Sequence, residues 1–385
     1  MVVIFKLLPN WLCKNFRKIR VLTVVLFCTI TIIYYNQRLP PPPPTSPSNV
    51  VWPEFSLHLP FVEPNISFPD RNIYLAVAVN SAATGHKYRG LRKAIRETWG
   101  SSLEYTRNKI WKVFFVLAIS ENKTEHEMNL QEASRNNDVI IGNFTDNYES
   151  VVLKTFMSHY WVTTRFPSCR YVLKTDDDVY ARVPRLLRWL ERAGAPNRFY
   201  GGYVSVGFKT VRDPRNKWFI SKSQYEKEYW PPFCHGAFHV LSTDILPQFF
   251  NYTKFGRKPF HTDDTYLGVV ASELGIEAKT LPGFDLRYHT EYIRPRSACD
   301  LITSTTMGHM IDAFTMMKYH NFYTKEMKLG KYIRLKCLVS QNAKLFAIAA
   351  VVIFCLLIGR LFGATVFRWI TKLWQSVCYS STIEH

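Results

Sequence analysis

Three consecutive carboxylates, Asp176-Asp177-Asp178, are the residues in this chain best suited to chemistry. Adjacent anions repel, so a cation or a set of donors must neutralise them. On an extended chain alternate side chains point the same way, which lets Asp176 and Asp178 face one pocket while Asp177 turns aside. Hard oxygen ligands of this kind suit Mn²⁺ or Mg²⁺, commonly beside a substrate's phosphates. A solvated acidic turn would use the same residues, but the apolar YVLK leading into the triplet argues against it. A second acidic pair, Asp263-Asp264, sits in HTDDTY and is followed by Tyr266, Leu267, Val269 and Val270. That order places the pair at a helix N-terminus, where carboxylates are favoured. An N-cap role explains one of the two and not both. Arg89, Arg92, Lys93 and Arg96 recur at i, i+3, i+4 and i+7, on one face of a helix. Beside a metal site such a stripe suits a diphosphate; read alone, it is a solvated helix face.

The elements that must position these groups alternate from residue 72 to about 323. Residues 73–79 (IYLAVAV), 113–119 and 171–174 predict strands, with a short one at 139–141. Residues 89–99 and 150–165 predict helices. This alternation predicts an α/β domain with a mostly parallel central sheet. In such sheets ligands bind beyond the carboxyl ends of the strands, where the aspartate triplet lies.

The ends of the chain carry other signals. Residues 21–35 are 15 uncharged, apolar or weakly polar residues, preceded by Lys14, Arg17, Lys18 and Arg20. They read as a signal anchor with its basic end cytoplasmic, a cleaved signal peptide being the rival. Residues 39–69 hold ten prolines, which form an extended stalk and pack no core. Residues 345–359 are again 15 uncharged residues, and with Arg360 the run continues to Phe367. A second membrane span over 345–367 is expected, with a buried terminal helix as its rival. The boundaries follow: a tail at 1–18, an anchor at 19–37, a stem at 38–70, a lumenal domain at 71–325 and a short tail at 368–385. Asn65, Asn122, Asn143 and Asn251 open N-x-S/T sequons, as a lumenal domain allows. The oxidising lumen also allows Cys169, Cys234, Cys299 and Cys337 to pair, in any of three connectivities, or some to remain core thiols. The 385 residues carry a net charge of +19, which favours anionic partners. Nucleic acid is excluded as that partner by the lumenal topology and by basic residues spread along the chain.

The blocks RKAIRETWG, VFFVLAIS, DVIIGNFTDNYESVVLKT, YVLKTDDDVY, PPFCHGAFHVLSTDIL and DDTYLG occur in this order between residues 72 and 323. In that respect the chain resembles the β-1,3-glycosyltransferases, the galactosyl- and N-acetylglucosaminyltransferases of glycosyltransferase family 31. The resemblance implies a GT-A-type nucleotide-sugar-binding fold, a UDP-sugar donor, Mn²⁺ and inversion at the anomeric carbon. It places the metal on Asp176 and Asp178, and a late histidine beside them: His309 in TMGHMIDAF, with His289 in LRYHTEY as the rival. It makes Asp264 the base, with Asp263 its neighbour. This sequence departs from the family's E-D-V motif, with Asp in place of Glu before the base and Thr in place of Val after it. Both changes keep the essential carboxylate. Arg92, Arg96, Lys154 and Asp177 are assigned to the UDP-sugar, and Trp230, Phe233, His235 and Gly236 to the acceptor side. The expected activity is transfer of a hexose or N-acetylhexosamine to the 3-hydroxyl of a glycoprotein or glycolipid glycan, in the Golgi membrane. A lumenal glycan-binding or chaperone-like homologue is the alternative.

Overall fold

The computed structural model describes residues 57, 59–66, 73–101, 110–285, 305–327, 330–342, 350 and 353. The first strand, β1 (Leu75–Asn80), is buried at every position. Its LAVAV run has no polar face because parallel strands are covered on both sides. Helix α1 (His86–Glu97) follows and turns Leu91, Ala94 and Ile95 inward. Next come β2 (Trp111–Ile119), α2 (Lys123–Asn136), β3 (Val139–Thr145), α3 (Val151–Arg165) and β4 (Tyr171–Asp176). The start of α2 is fixed by Asn122, whose side chain accepts from the Glu125 N–H. Its end is fixed by Asn137 at φ 53°, a left-handed position that asparagine tolerates. The second half holds β5 (Tyr180–Ala181), α4 (Val183–Arg192), β6 (Tyr200–Ser205), β7 (Phe233–Ser242), α5 (Leu246–Phe255) and α6 (Asp263–Glu273). It closes with β8 (Ala278–Thr280), β9 (Phe284–Asp285), β10 (Thr306–Met307), α7 (Ala313–Met327) and α8 (Gly330–Gln341).

Seven strands form one sheet in the order β3-β2-β1-β4-β7-β6-β8. β7 runs antiparallel to both neighbours, and every other neighbouring pair is parallel. Alternate residues of each strand feed opposite cores. Leu75, Val77 and Val79 pack with α1, α4 and α7, whereas Ala76 and Ala78 pack with α3, α5 and α6. A small second sheet, β5-β10-β9, lies after the aspartates.

The expected strands and helices are present, with longer bounds in places. The strand expected at 139–141 runs to Thr145, and the helix expected at 89–99 begins at His86. Among the described residues no helix is long and apolar enough to cross a membrane. The anchor expected at 19–37 lies outside the described residues, as does 345–367 apart from Ala350 and Ile353. Of the four cysteines, Cys169 and Cys234 are buried free thiols and Cys337 is disulfide-bonded. Cys169 and Cys234 therefore correct the pairing expected of them. Each is surrounded by apolar core, and burial pushes the Cys169 thiol up to about 12. The sequons Asn65, Asn122, Asn143 and Asn251 are all exposed.

Candidate active site

The parallel register sets Asn80 of β1 opposite Asp176 of β4, so both strands end at one point. The Asp177 N–H donates to the Asn80 carbonyl at 3.1 Å. Its carboxyl turns inward and accepts from Ser81 Oγ at 2.6 Å, and burial pushes it up to about 7. Asp176 and Asp178 remain on a shared side, as alternation requires. His309 joins them because β10 pairs antiparallel with β5. The Ile311 N–H then donates to the Asp178 carbonyl at 3.1 Å. Gly308 makes the turn at φ 71°, a conformation other residues rarely adopt. His309 Nε2 lies 3.9 Å from Asp176 Oδ2 and 3.9 Å from Asp178 Oδ1. One ligand atom from each of the three residues falls within a 4.8 Å cluster.

The cluster fits a divalent cation. Asp178 Oδ1 is buried and accepts no hydrogen bond. Burial and the neighbouring Asp176 charge both raise the Asp178 carboxyl above its ordinary value. A hard cation removes both penalties, and two carboxylates with an imidazole suit Mn²⁺ or Mg²⁺. His289 lies outside the described residues.

The acidic pair opens α6, as its sequence context predicts. Asp263 points into the protein and accepts from Thr155 Oγ1 at 2.7 Å. Thr155 in turn accepts from Asn80 Nδ2 at 3.0 Å. Burial opposes the charge on Asp263, but Lys174, His239 and the Thr155 hydroxyl hold its carboxyl below the ordinary value. Asp264 retains some exposure. Its Oδ2 accepts from the Gly236 N–H at 3.1 Å and its Oδ1 from the Thr265 N–H at 2.8 Å. Burial and the Asp263 charge push the Asp264 carboxyl up to about 6.

Lys174 joins the two acidic groups. Its Nζ is 2.8 Å from Asp176 Oδ1, 3.4 Å from Asp263 Oδ2 and 2.6 Å from the Gly236 carbonyl. Gly236 therefore receives Lys174 on one side and donates to Asp264 on the other. A Cβ at Gly236 would lie 3.3 Å from Asp264 Oδ2 and 3.4 Å from Asp264 Cβ. Gly236→Ala is accordingly expected to shift Asp264 and lower turnover by roughly tenfold or more. Steady-state kinetics beside an unchanged melting temperature checks this.

Several residues assigned to substrate stand elsewhere. Arg92 is fully buried, paired with Glu132 and donating to Ser81 Oγ at 2.9 Å. It supports Asp177 from behind, through Ser81. Arg96 pairs with Asp138 at 2.7 Å and with Glu132 at 2.8 Å. Arg89 pairs with Glu125, so all three arginines of the stripe are paired with carboxylates of α2 or of Asp138 just after it. Lys154 is buried on Asp146 at 2.7 Å and on the Ser81 carbonyl at 3.0 Å. Trp230 and Phe233, expected on the acceptor side, are both buried. Trp230 stacks on Tyr225 with ring centres 4.4 Å apart, inside the core beneath α6. His235 does approach the metal cluster, 5.8 Å from His309 between ring centres. Burial and His309 push it down to about 4, so its ring is neutral near pH 7. Lys174, Thr155, Asn80 and Ser81 were not singled out from sequence. Lys174 had a signal: a lysine inside an apolar strand, two positions before Asp176 and so on its face.

The Galactosyltransferase family profile matches residues 91–282. Beta-1,3-galactosyltransferase 5 of Homo sapiens is 33% identical over 242 residues, covering 61% of this chain and 76% of its own. Beta-1,3-galactosyltransferase 1 of Mus musculus is 33% identical over 218 residues, covering 56% and 65%. Among solved structures, the WbbM bifunctional glycosyltransferase aligns at a TM-score of 0.37 and 8% identity, over 66% of this chain and 50% of that one. With its six ordered blocks, its acidic strand end and relatives at this identity, the chain belongs to the β-1,3-glycosyltransferases of family 31.

Proposed function

We propose that the chain transfers a hexose or N-acetylhexosamine from a UDP-sugar to the 3-hydroxyl of a glycoprotein or glycolipid glycan, with inversion, on a GT-A-type domain. The observation that carries this reading is the link between a cation-binding cluster and a raised carboxylate through one buried lysine. Asp176, Asp178 and His309 would hold Mn²⁺ or Mg²⁺. Bound there, the cation would neutralise charge on the leaving diphosphate. Asp264 takes the acceptor hydroxyl's proton. Its raised value suits a base that must be ionised near neutrality yet hold a proton well. The Gly236 and Thr265 N–H groups fix the carboxylate, and the Asp263 charge increases its basicity. A base on the face opposite the leaving group gives a single displacement and an inverted anomeric centre.

The test is a panel of UDP-sugars and glycan acceptors with linkage analysis of the product. A β-1,3-linked product is expected, chelation abolishes it and Mn²⁺ restores it. Asp178→Ala is expected to weaken UDP-sugar binding only when metal is present. Sugar release without a new linkage would make the chain a hydrolase instead. The lumenal placement in the Golgi and the second span are part of the same proposal. A C-terminal epitope tag on intact microsomes is expected to be digested by added protease while the glycosylated domain stays protected. A protected tag would show that 345–367 does not cross.

A further inference from the structure

We propose that Tyr148 and Trp218 form a stacking platform for the ring face of the acceptor sugar beside Asp264. This rests on the transfer reaction proposed above. Three segments distant in sequence converge there. Tyr148 opens the short helical turn before α3, Lys217 and Trp218 lie in the β6–β7 connection, and His261 lies just before α6. The Tyr148 and His261 rings are 5.7 Å apart. Lys217 Nζ stands 5.6 Å from the centre of the Tyr148 ring and 4.8 Å from the centre of the Trp218 ring. Cation–π contact at these distances holds both rings in place. The Lys217 carbonyl is 2.9 Å from His261 Nε2, which ties the β6–β7 connection to the segment leading into Asp264. Through His261, three residues before Asp264, the cluster adjoins the start of α6.

The two rings are nonetheless not core. Trp218 is 50% exposed and Tyr148 45% exposed. Ordered aromatic faces left open beside a catalytic group mark a ligand surface. The neighbouring groups select the occupant. A diphosphate would go to a cation held by Asp176, Asp178 and His309, and is repelled by the Asp263-Asp264 pair. A pyranose presents an apolar C–H face to the rings and hydroxyls to Lys217, His261 and Asp264. The exposed pair thus takes the role that the sequence assigned to the buried Trp230 and Phe233.

The test uses the full chain and the acceptor that the panel above identifies. Trp218→Ala and Tyr148→Ala are each expected to raise the acceptor KM by about tenfold or more. UDP affinity and hydrolysis of the donor by water stay at wild-type values. Trp218→Phe keeps a ring and is expected to recover most of the acceptor KM. Trp218→Ala with an unchanged acceptor KM overturns the platform and leaves the transfer reaction standing. Loss of UDP affinity in Trp218→Ala also overturns it, because the ring would then serve the donor. A wild-type chain that transfers sugar to no acceptor overturns the transfer reading and the platform together.

Discussion

Asp264→Asn is expected to lower turnover by about 10²-fold or more, the scale of a lost general base, while UDP affinity holds at the wild-type value. The substitution keeps the volume of the side chain and leaves an oxygen to accept the Gly236 N–H. What it removes is the ability to take a proton from the acceptor hydroxyl. Steady-state turnover measured beside a UDP titration separates the two effects. Wild-type turnover in the variant would transfer the role to Asp263.

The same residue sets a pH profile. As the proposed base Asp264 must be a carboxylate, and burial with the Asp263 charge pushes it up to about 6. Transfer is therefore expected to fall about tenfold per pH unit below that value, and this group imposes no loss above it. Stability runs the other way. A carboxyl raised by folding holds its proton more tightly in the folded state, so its ionisation costs stability as pH rises through about 6. Asp263 has the opposite sign. Its carboxyl lies below the ordinary value, so its contribution is present above the unfolded pKa and is lost as pH falls through the folded one. Two adjacent aspartates thus carry opposite shifts, Asp264 raised and Asp263 lowered.

Much of this was legible in the sequence because it depends on local periodicity. Alternation in YVLKTDDD predicts which aspartates share a pocket, and the inward turn of Asp177 onto Ser81 follows from it. The apolar run after Asp263-Asp264 predicts their place at a helix start, which α6 confirms. What the sequence did not reveal depends on partners distant in the chain. The stripe Arg89, Arg92 and Arg96 has helical spacing, but its meaning depends on Glu125 and Glu132 of α2 and on Asp138, just before β3. Residue type cannot distinguish an arginine facing a substrate from one facing a glutamate. The aromatics of YWPPF read as a binding surface, yet Trp230 packs on Tyr225 and Phe260. The exposed rings, Tyr148 and Trp218, come from segments with no motif that relates them. Burial, which separates the two sets, is a property of the assembled sheet and not of any local window.

Lys174→Met is expected to destabilise the domain and disable the site together. The Nζ is buried between Asp176 and Asp263 and donates to the Gly236 carbonyl at 2.6 Å. Methionine fits the volume but leaves Asp263 as a buried anion held by Thr155 Oγ1 among the described residues. Breaking a buried ion pair from one side costs about 3–5 kcal/mol. For a domain of this size that corresponds to a fall in melting temperature on the order of 10 °C. The physical cause is the uncompensated charge, so a second change should recover part of the loss. Lys174→Met with Asp263→Asn removes both charges and is expected to melt well above the single variant. Turnover is not expected to return with it. Without Lys174, the β4–β7 ladder still aligns the two backbones, but the side-chain tie from the Asp176 carboxylate to the carbonyl of Gly236, whose N–H holds Asp264, is gone. Thermal unfolding and steady-state kinetics on the two variants therefore give different patterns. Recovery of both stability and turnover in the double variant would show that Lys174 only balances charge. Recovery of stability alone would show that it also sets the distance between the metal cluster and the base.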